Sequence, residues 1–369
     1  MGRDGLDAYF GVRREHIRWL TGFVLADGEE KVAGHSGQFL VGLESLTILA
    51  DSRYAIQAHR QSPAATVVDA GYDLPGKWRA LVDGAGARRV GVEAAFVSHA
   101  MWGRLDGAAP DVELVPVEGW LEAARATKTA DEIERIAAAC AVADRALATL
   151  LPEIRAGVTE AELALRLEWL MRSGGAEALA FDVTCLAGPE AALPHGSPGD
   201  RPVRAGEVLL FYFGAQVEGY RSDMTRTLIV GEPSARDLAL HELVARAQQA
   251  AIDAIGDSAA AAARDGASLI SGRAADAAAR EVIVAAGHGD HFGHGTGHGI
   301  GLATHEDPRL SKVAADTPLP SPTVFSVEPG IYLAGETGVR IEDLVELDAA
   351  AGSVRRLTRF PREVVIVGA

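Results

Sequence analysis

The sequence predicts two domains of mixed helix and strand, and three observations predict them. Its 369 residues exceed the ~100–200 of one ordinary core. Residues 1 to about 122 alternate short apolar runs with turn signals, and a capped, periodic helix opens just beyond them. Farther on, glycine-rich stretches separate strand-like runs that read as hairpins.

In the first domain, residues 1–122, the runs LTGFVLADGEE, FLVGLESLTILADSRY, TVVDAGYDLPG, RRVGVEA and VELVPVE read as a small α/β unit. The second domain, residues 123–369, starts near RATKTADEIERIAAACAVADRALATLL. There Thr129 and Glu132 have capping-box spacing. Ile133, Ile136, Cys140, Ala143, Leu147 and Leu150 step by three and four onto one helix face, so Cys140 is expected in a core. A second box, Thr159 to Glu162, opens a helix that stops at Gly174 and Gly175. An Ala-rich stretch from about Asp237 to Ala286 reads as helical, and more strands follow it.

Composition narrows the function classes. With 35 basic and 51 acidic residues the formal charge is −16, which repels phosphate backbones and excludes nucleic acid as an expected partner. No run reaches the roughly 18 apolar residues of a membrane span, and the charged start MGRDGLDAYFGVRREH does not read as a signal peptide, so a cytoplasmic protein is expected. Cys140 and Cys185 are too few for a disulfide framework.

The chemistry gathers in two hairpins and one histidine-rich run. In VLLFYFGAQVEGYRSDMTRT, a turn at Val217 and Glu218 would place Tyr212 directly opposite Asp223. In TVFSVEPGIYLAGETGVRIEDLVEL, a turn centred on Gly335 places Glu328 opposite Glu342. Carboxylates brought together repel unless something positive sits among them, and oxygen ligands of this kind suit zinc, manganese or iron(II). Five histidines, His288, His291, His294, His298 and His305, lie in GHGDHFGHGTGHGIGLATHE and offer a nitrogen ligand. His294 and His298 are four apart, but Gly295, Gly297 and Gly299 argue against a helix, and no HExxH glutamate is present. A glycine-rich extended segment that approaches a substrate is expected instead.

Five ordered motifs, LPHG, LLFYFGA…GYRSDMTRT, FGHGTGHGIGL..HE, VEPGIYL and GVRIED, resemble the Xaa-Pro peptidases. These are prolidase and aminopeptidase P, of the pita-bread metallopeptidase superfamily that also holds methionine aminopeptidase and creatinase. The resemblance runs from about Lys128 to the end, and WLTGF at 19–23 with DSRY at 51–54 is similar to the family's N-terminal domain. It implies an α+β fold: a pita-bread catalytic domain preceded by a smaller, creatinase-like α/β domain.

The family's five metal ligands would fall on Tyr212, Asp223, His298, Glu328 and Glu342. Four match; the family has aspartate where this chain has Tyr212, and that aspartate chelates one of two metals alone. A neutral phenol is a poor ligand for a hard dication, so one divalent transition metal, zinc or manganese, is expected on Asp223, His298, Glu328 and Glu342. His195 and His305 fall on the substrate-side histidines, Arg340 on an arginine that braces the site, and Tyr332 on a tyrosine near the metals. The resemblance implies metal-activated hydrolysis of short Xaa-Pro peptides, with Glu328 moving the proton, His195 and His305 positioning the peptide, and Tyr212 free to donate a hydrogen bond. It also implies a homodimer. Two other readings stay open: a single-metal peptidase of shifted, carboxypeptidase-like specificity, and a metal-free hydrolase or binding module on the same fold.

Overall fold

The computed structural model describes residues 5–25, 36–70 and 73–368. The chain divides into two compact units, Met1–Leu121 and Glu122–Ala369. Residues 26–30 of the first apolar run and Gly71 and Tyr72 of the third lie outside the described residues.

The first unit is built on a six-stranded sheet. Its strands are β1 (Ala8–Gly11), β2 (Gln38–Gly42), β3 (Leu46–Leu49), β4 (Thr66–Val68), β5 (Arg89–Glu93) and β6 (Glu113–Val117), in the order β4-β3-β2-β1-β5-β6. Helices α1 (Arg14–Thr21), α2 (Ala55–Gln61), α3 (Leu74–Gly84) and α4 (His99–Ala108) alternate with them, as expected of an α/β unit. The two-residue period divides each strand between two cores. Ala8 and Phe10 pack with Trp78 of α3, and Tyr9 packs with Phe39 and Ile48 on the opposite face.

The second unit begins within α5 (Trp120–Ala126) and continues with α6 (Ala130–Leu150) and α7 (Glu160–Ser173). Both expected capping boxes are formed: Thr129 and Thr159 accept from the N3 backbone while Glu132 and Glu162 reach back to the N-cap amide. The six periodic residues of α6 are all buried, Cys140 among them. The Ala-rich stretch is two helices, α8 (Ala235–Asp265) and α9 (Gly272–Ala285). Gly266 ends α8 in the left-handed conformation with φ 67°, and the Ser271 side chain caps the start of α9.

The strands of this unit form four sheets. β7 (Ala178–Leu179), β8 (Thr184–Ala187), β9 (Val208–Phe213), β10 (Ala215–Val217), β11 (Tyr220–Arg221) and β12 (Met224–Val230) make the first hairpin and its neighbours. β13 (Gly297–Gly299), β14 (Glu306–Leu310), β15 (Thr323–Val327), β16 (Gly330–Leu333), β17 (Thr337–Arg340), β18 (Asp343–Asp348), β19 (Ser353–Arg356) and β20 (Ile366–Val367) follow. The sheet orders are β11-β10-β7, β20-β12-β9-β8, β14-β13-β15-β18-β19 and β16-β17.

The first hairpin departs from its expected register by two residues. Tyr212 pairs with Thr225, not Asp223, and Val217 pairs with Tyr220. The turn is therefore Glu218–Gly219, with φ 49° and 85°. A two-residue loop whose central residues both need positive φ favours a glycine and disfavours β-branched Val217. The second hairpin has the expected register: Thr323 pairs with Leu347, Val327 with Asp343, and Gly330 with Arg340, around a turn containing Gly335 at φ 74°.

Asp343 joins the two hairpins from behind. It is fully buried, and its carboxylate accepts from Arg226 Nη2 at 2.6 Å, Thr358 Oγ1 at 2.6 Å and Gln248 Nε2 at 3.0 Å. Arg226 also donates through Nη1 to the Glu342 carbonyl at 2.6 Å. Removing one member of a buried pair strands the other charge, so Asp343→Ala is expected to lower stability by ~3–5 kcal/mol in urea unfolding. A loss below about 1 kcal/mol would show that Arg226 finds another partner and that this brace is dispensable.

Candidate metal centre

The hairpins and the histidine-rich run deliver their side chains to one place. Asp223 lies between β11 and β12. Thr225, two residues on, forms a bridge with Glu342, which lies between β17 and β18. Glu328 lies between β15 and β16, and His298 is the middle residue of β13. Donor atoms of Asp223, His298 and Glu342 all lie within 4.8 Å of one another. His298 Nε2 is 3.3 Å from Glu328 Oε1 and 3.6 Å from Asp223 Oδ2.

The glycines beside His298 serve packing. A Cβ on Gly297 would stand 1.9 Å from the Ser326 carbonyl oxygen, and one on Gly299 would stand 2.1 Å from that of Asp307. The segment is expected to bring its backbone close to a substrate, and Gly295 and Gly297 line the adjacent cavity, while Gly297 and Gly299 also pack against β15 and β14 backbone. The result is a strand, as the rejection of a helix required, and it fixes the His298 backbone among its neighbours.

The protonation pattern of the cluster fits a cation. His298 Nδ1 lies 3.0 Å from the Gly299 carbonyl oxygen, which can only accept, so Nδ1 carries the proton and a neutral ring leaves the Nε2 lone pair facing the carboxylates. Burial lowers the His298 pKa and favours that neutral ring. Asp223 is fully buried, and neither of its oxygens has a hydrogen-bond partner; Glu342 Oε1 is likewise unpartnered. Glu342 Oε2 accepts from Thr225 Oγ1 at 2.6 Å, which orients the carboxylate. Burial raises the pKa of Glu328 and of Glu342 to about 7, and burial together with the neighbouring glutamates raises that of Asp223. Three carboxylates and an imidazole thus converge, with both Asp223 oxygens, Glu342 Oε1 and the His298 Nε2 lone pair receiving no hydrogen bond. A divalent cation accepts all of them and removes the need for protons.

Tyr212 stands beside this cluster on β9. Its ring stacks on Phe181 with centroids 4.3 Å apart, and the Arg340 guanidinium carbon lies over the same ring, 4.3 Å from its centroid. Burial and Asp223 push the phenol pKa well up, so it remains protonated. Arg340 donates to Thr225 Oγ1 at 2.7 Å and to Tyr332 Oη at 3.1 Å. Burial opposes its charge, but Tyr332, Glu342 and Glu328 outweigh burial and raise its pKa.

A cavity of about 200 Å³ opens onto these groups; His195, His298, His305, Glu328, Arg340 and Tyr212 line it. His195 and His305 are exposed, and the His305 ring lies 4.2 Å from that of His298. Burial, reinforced by His298, lowers the His305 pKa to about 4. The lining also includes His294 and Arg309, which the sequence did not mark as site residues. His294 Nε2 accepts from Tyr332 Oη at 2.9 Å, while its Nδ1 donates to the Gly295 carbonyl at 2.7 Å. Arg309, exposed on β14, adds a cation to the cavity wall. The FGHG run flagged His294 only as one histidine among five, and no sequence signal set Arg309 apart.

Comparison with known proteins agrees with this geometry. Residues 134–349 match the model of metallopeptidase family M24, and residues 1–127 match the creatinase/prolidase N-terminal domain. An uncharacterized peptidase, YqhT, of Bacillus subtilis is 33% identical over 99% of this chain and 97% of its own. The Xaa-Pro dipeptidase of Pyrococcus furiosus is 38% identical over 69% of each chain. Among solved structures, the X-Pro aminopeptidase of Thermotoga maritima superposes with a TM-score of 0.86 at 33% identity, covering 98% of both chains. The Xaa-Pro dipeptidase of Bacillus anthracis gives 0.87 at 32% identity, covering 99% of this chain and 96% of its own. The creatinase-like domain followed by a pita-bread catalytic domain, expected from the sequence, is the architecture present. The chain belongs to metallopeptidase family M24 and is a metal-dependent peptidase.

Proposed function

We propose that this peptidase hydrolyses short peptides at the bond preceding proline, with a single divalent ion, zinc or manganese, held by Asp223, His298, Glu328 and Glu342. The observation that carries the ligand set is the convergence of unpartnered Asp223 and Glu342 oxygens on the His298 Nε2 lone pair. A single ion is supported by Tyr212, whose ring lies between Phe181 and Arg340 where the resemblance puts a chelating aspartate. Such an ion supplies a water of lowered pKa and a Lewis acid for the scissile carbonyl.

The chain's own groups do the rest. Glu328 accepts a proton from the attacking water and delivers it to the leaving amine. Ser326 Oγ donates to Glu328 Oε1 at 3.1 Å and holds that carboxyl in place. His195 and His305, exposed on the cavity wall, position the peptide and stabilise charge on the carbonyl oxygen or the proline nitrogen. Tyr212 donates its retained proton to an oxygen in the cavity, and Arg340 with Tyr332 orients that side.

Tyr212 also favours a second reading, a carboxypeptidase-like specificity, because a changed ligand position can alter which peptide end is read. Elemental analysis of protein purified without chelator, followed by assays on end-blocked proline peptides, tests both. About one transition metal per chain and loss of cleavage on N-acetylation support the first reading. Cleavage that survives acetylation but fails on C-terminal amidation supports the second. Protein that neither retains nor takes up metal sinks both and leaves a metal-free member of the fold.

A further inference from the structure

Glu306 carries a concentration of buried charge that the proposed chemistry does not use. Its side chain is 5% exposed and meets Arg125 at 3% and Lys128 at 1%. Arg125 Nη2 donates to Glu306 Oε1, Lys128 Nζ donates to Glu306 Oε2 at 3.3 Å, and Lys128 Nζ also donates to the Arg125 carbonyl. Glu306 lines the catalytic cavity and directly follows His305. Buried ion pairs add little net stability, because desolvation offsets their attraction, so three such groups beside a cavity point to placement of something.

What they place is the loop between β13 and β14. Glu306 Oε1 accepts from the Ala303 amide at 2.8 Å, folding residues 300–305 back onto the start of β14. From the other side, Arg221 donates its amide to the Gly301 carbonyl at 2.9 Å and Nη1 to Thr304 Oγ1 at 3.0 Å. His305 is the last residue of this loop. Among the described residues the exposed imidazole forms no hydrogen bond, and its ring stands 4.2 Å from that of His298. The backbone on either side of His305 is thereby the main determinant of where the ring sits.

We propose that Glu306, anchored by Arg125 and Lys128, is a positioning residue that sets His305 against His298 for the reaction. This rests on the peptidase reading above and assigns no chemistry to Glu306 itself. Without its charge, the two neighbouring buried cations lose their counter-ion, and the Ala303 amide loses an anionic acceptor.

A double-mutant cycle on metal-loaded protein tests it, comparing Glu306→Gln, His305→Ala and the pair. Glu306→Gln is expected to lower kcat/KM by roughly tenfold or more with metal content unchanged, and to have almost no effect once His305 is already alanine. Glu306→Asp is expected to restore part of the loss. Full, additive loss in the His305→Ala background would overturn the proposal, because Glu306 would then act independently of His305. If Glu306→Gln folds poorly, Lys128→Met enters the same cycle with the same expectations. A crystal structure of the variant supplies a readout that does not need activity: a displaced 300–305 loop supports the clamp, and an unmoved loop and His305 ring overturn it. Loss of metal from the parent protein would instead count against the peptidase reading, leaving the loop measurement to decide the clamp.

Discussion

Replacing Tyr212 by aspartate is expected to raise the bound transition metal from roughly one to roughly two ions per chain. The ring now fills the space between Phe181 and the Arg340 guanidinium, and its protonated phenol offers no anionic oxygen. Aspartate removes that ring and adds a charge beside Asp223, both of whose oxygens are unpartnered, and Glu342, whose Oε1 is unpartnered. A fourth carboxylate in a buried cluster is strongly unfavourable unless it is protonated or matched by a cation. The added ligand and the added repulsion therefore both favour a second ion. Tyr212→Leu removes the phenol without adding charge and is expected to stay near one ion, which separates released space from released charge. Elemental analysis after dialysis against buffered zinc or manganese measures both. A folded Tyr212→Asp protein that stays near one ion would show that the ring is not what keeps a second site from forming.

At Tyr212 the hairpin register differs from the expected one, yet Tyr212 and Asp223 still share a face. The turn of the first hairpin was placed at Val217–Glu218, although Gly219 is the residue suited to the positive φ of a two-residue loop. The true register is offset by two. Side chains alternate across a strand with period two, so an even offset leaves Tyr212 and Asp223 on one face and an odd one would have separated them. The second hairpin was legible because Gly335 marks its turn and Glu328 and Glu342 flank it symmetrically. Helices α6 and α7 were legible because capping boxes and period are local signals. The break between α8 and α9 was missed although Gly266 and Ser271 were there to mark it, because an Ala-rich run looks continuous. His294, Arg309 and the stacking of Tyr212 on Phe181 depend on contacts between distant segments, and no periodicity encodes those.

His298→Ala is expected to abolish detectable metal binding at ambient metal concentration and to lower kcat/KM by at least about a thousandfold, about 4 kcal/mol of transition-state stabilisation. It removes the nitrogen donor whose tautomer the Gly299 carbonyl fixes and leaves Asp223, Glu328 and Glu342 facing one another. With no cation among them these carboxyls relax by holding protons, since burial already raises Glu328 and Glu342 to about 7. The fold should therefore survive near neutral pH. Thermal unfolding separates a lost ligand from a damaged fold. Metal at a hundred times its dissociation constant stabilises the parent protein by about 2.7 kcal/mol relative to chelator-treated protein, through binding to the native state alone. His298→Ala should unfold near the chelator-treated parent and gain nothing from added metal, whereas His305→Ala, which changes a group on the cavity wall, should keep the metal-dependent gain and lose turnover. A His298→Ala protein that retains both the gain and the activity would remove His298 from the centre, and with it the reason for the Gly297–Gly299 strand to carry an imidazole there.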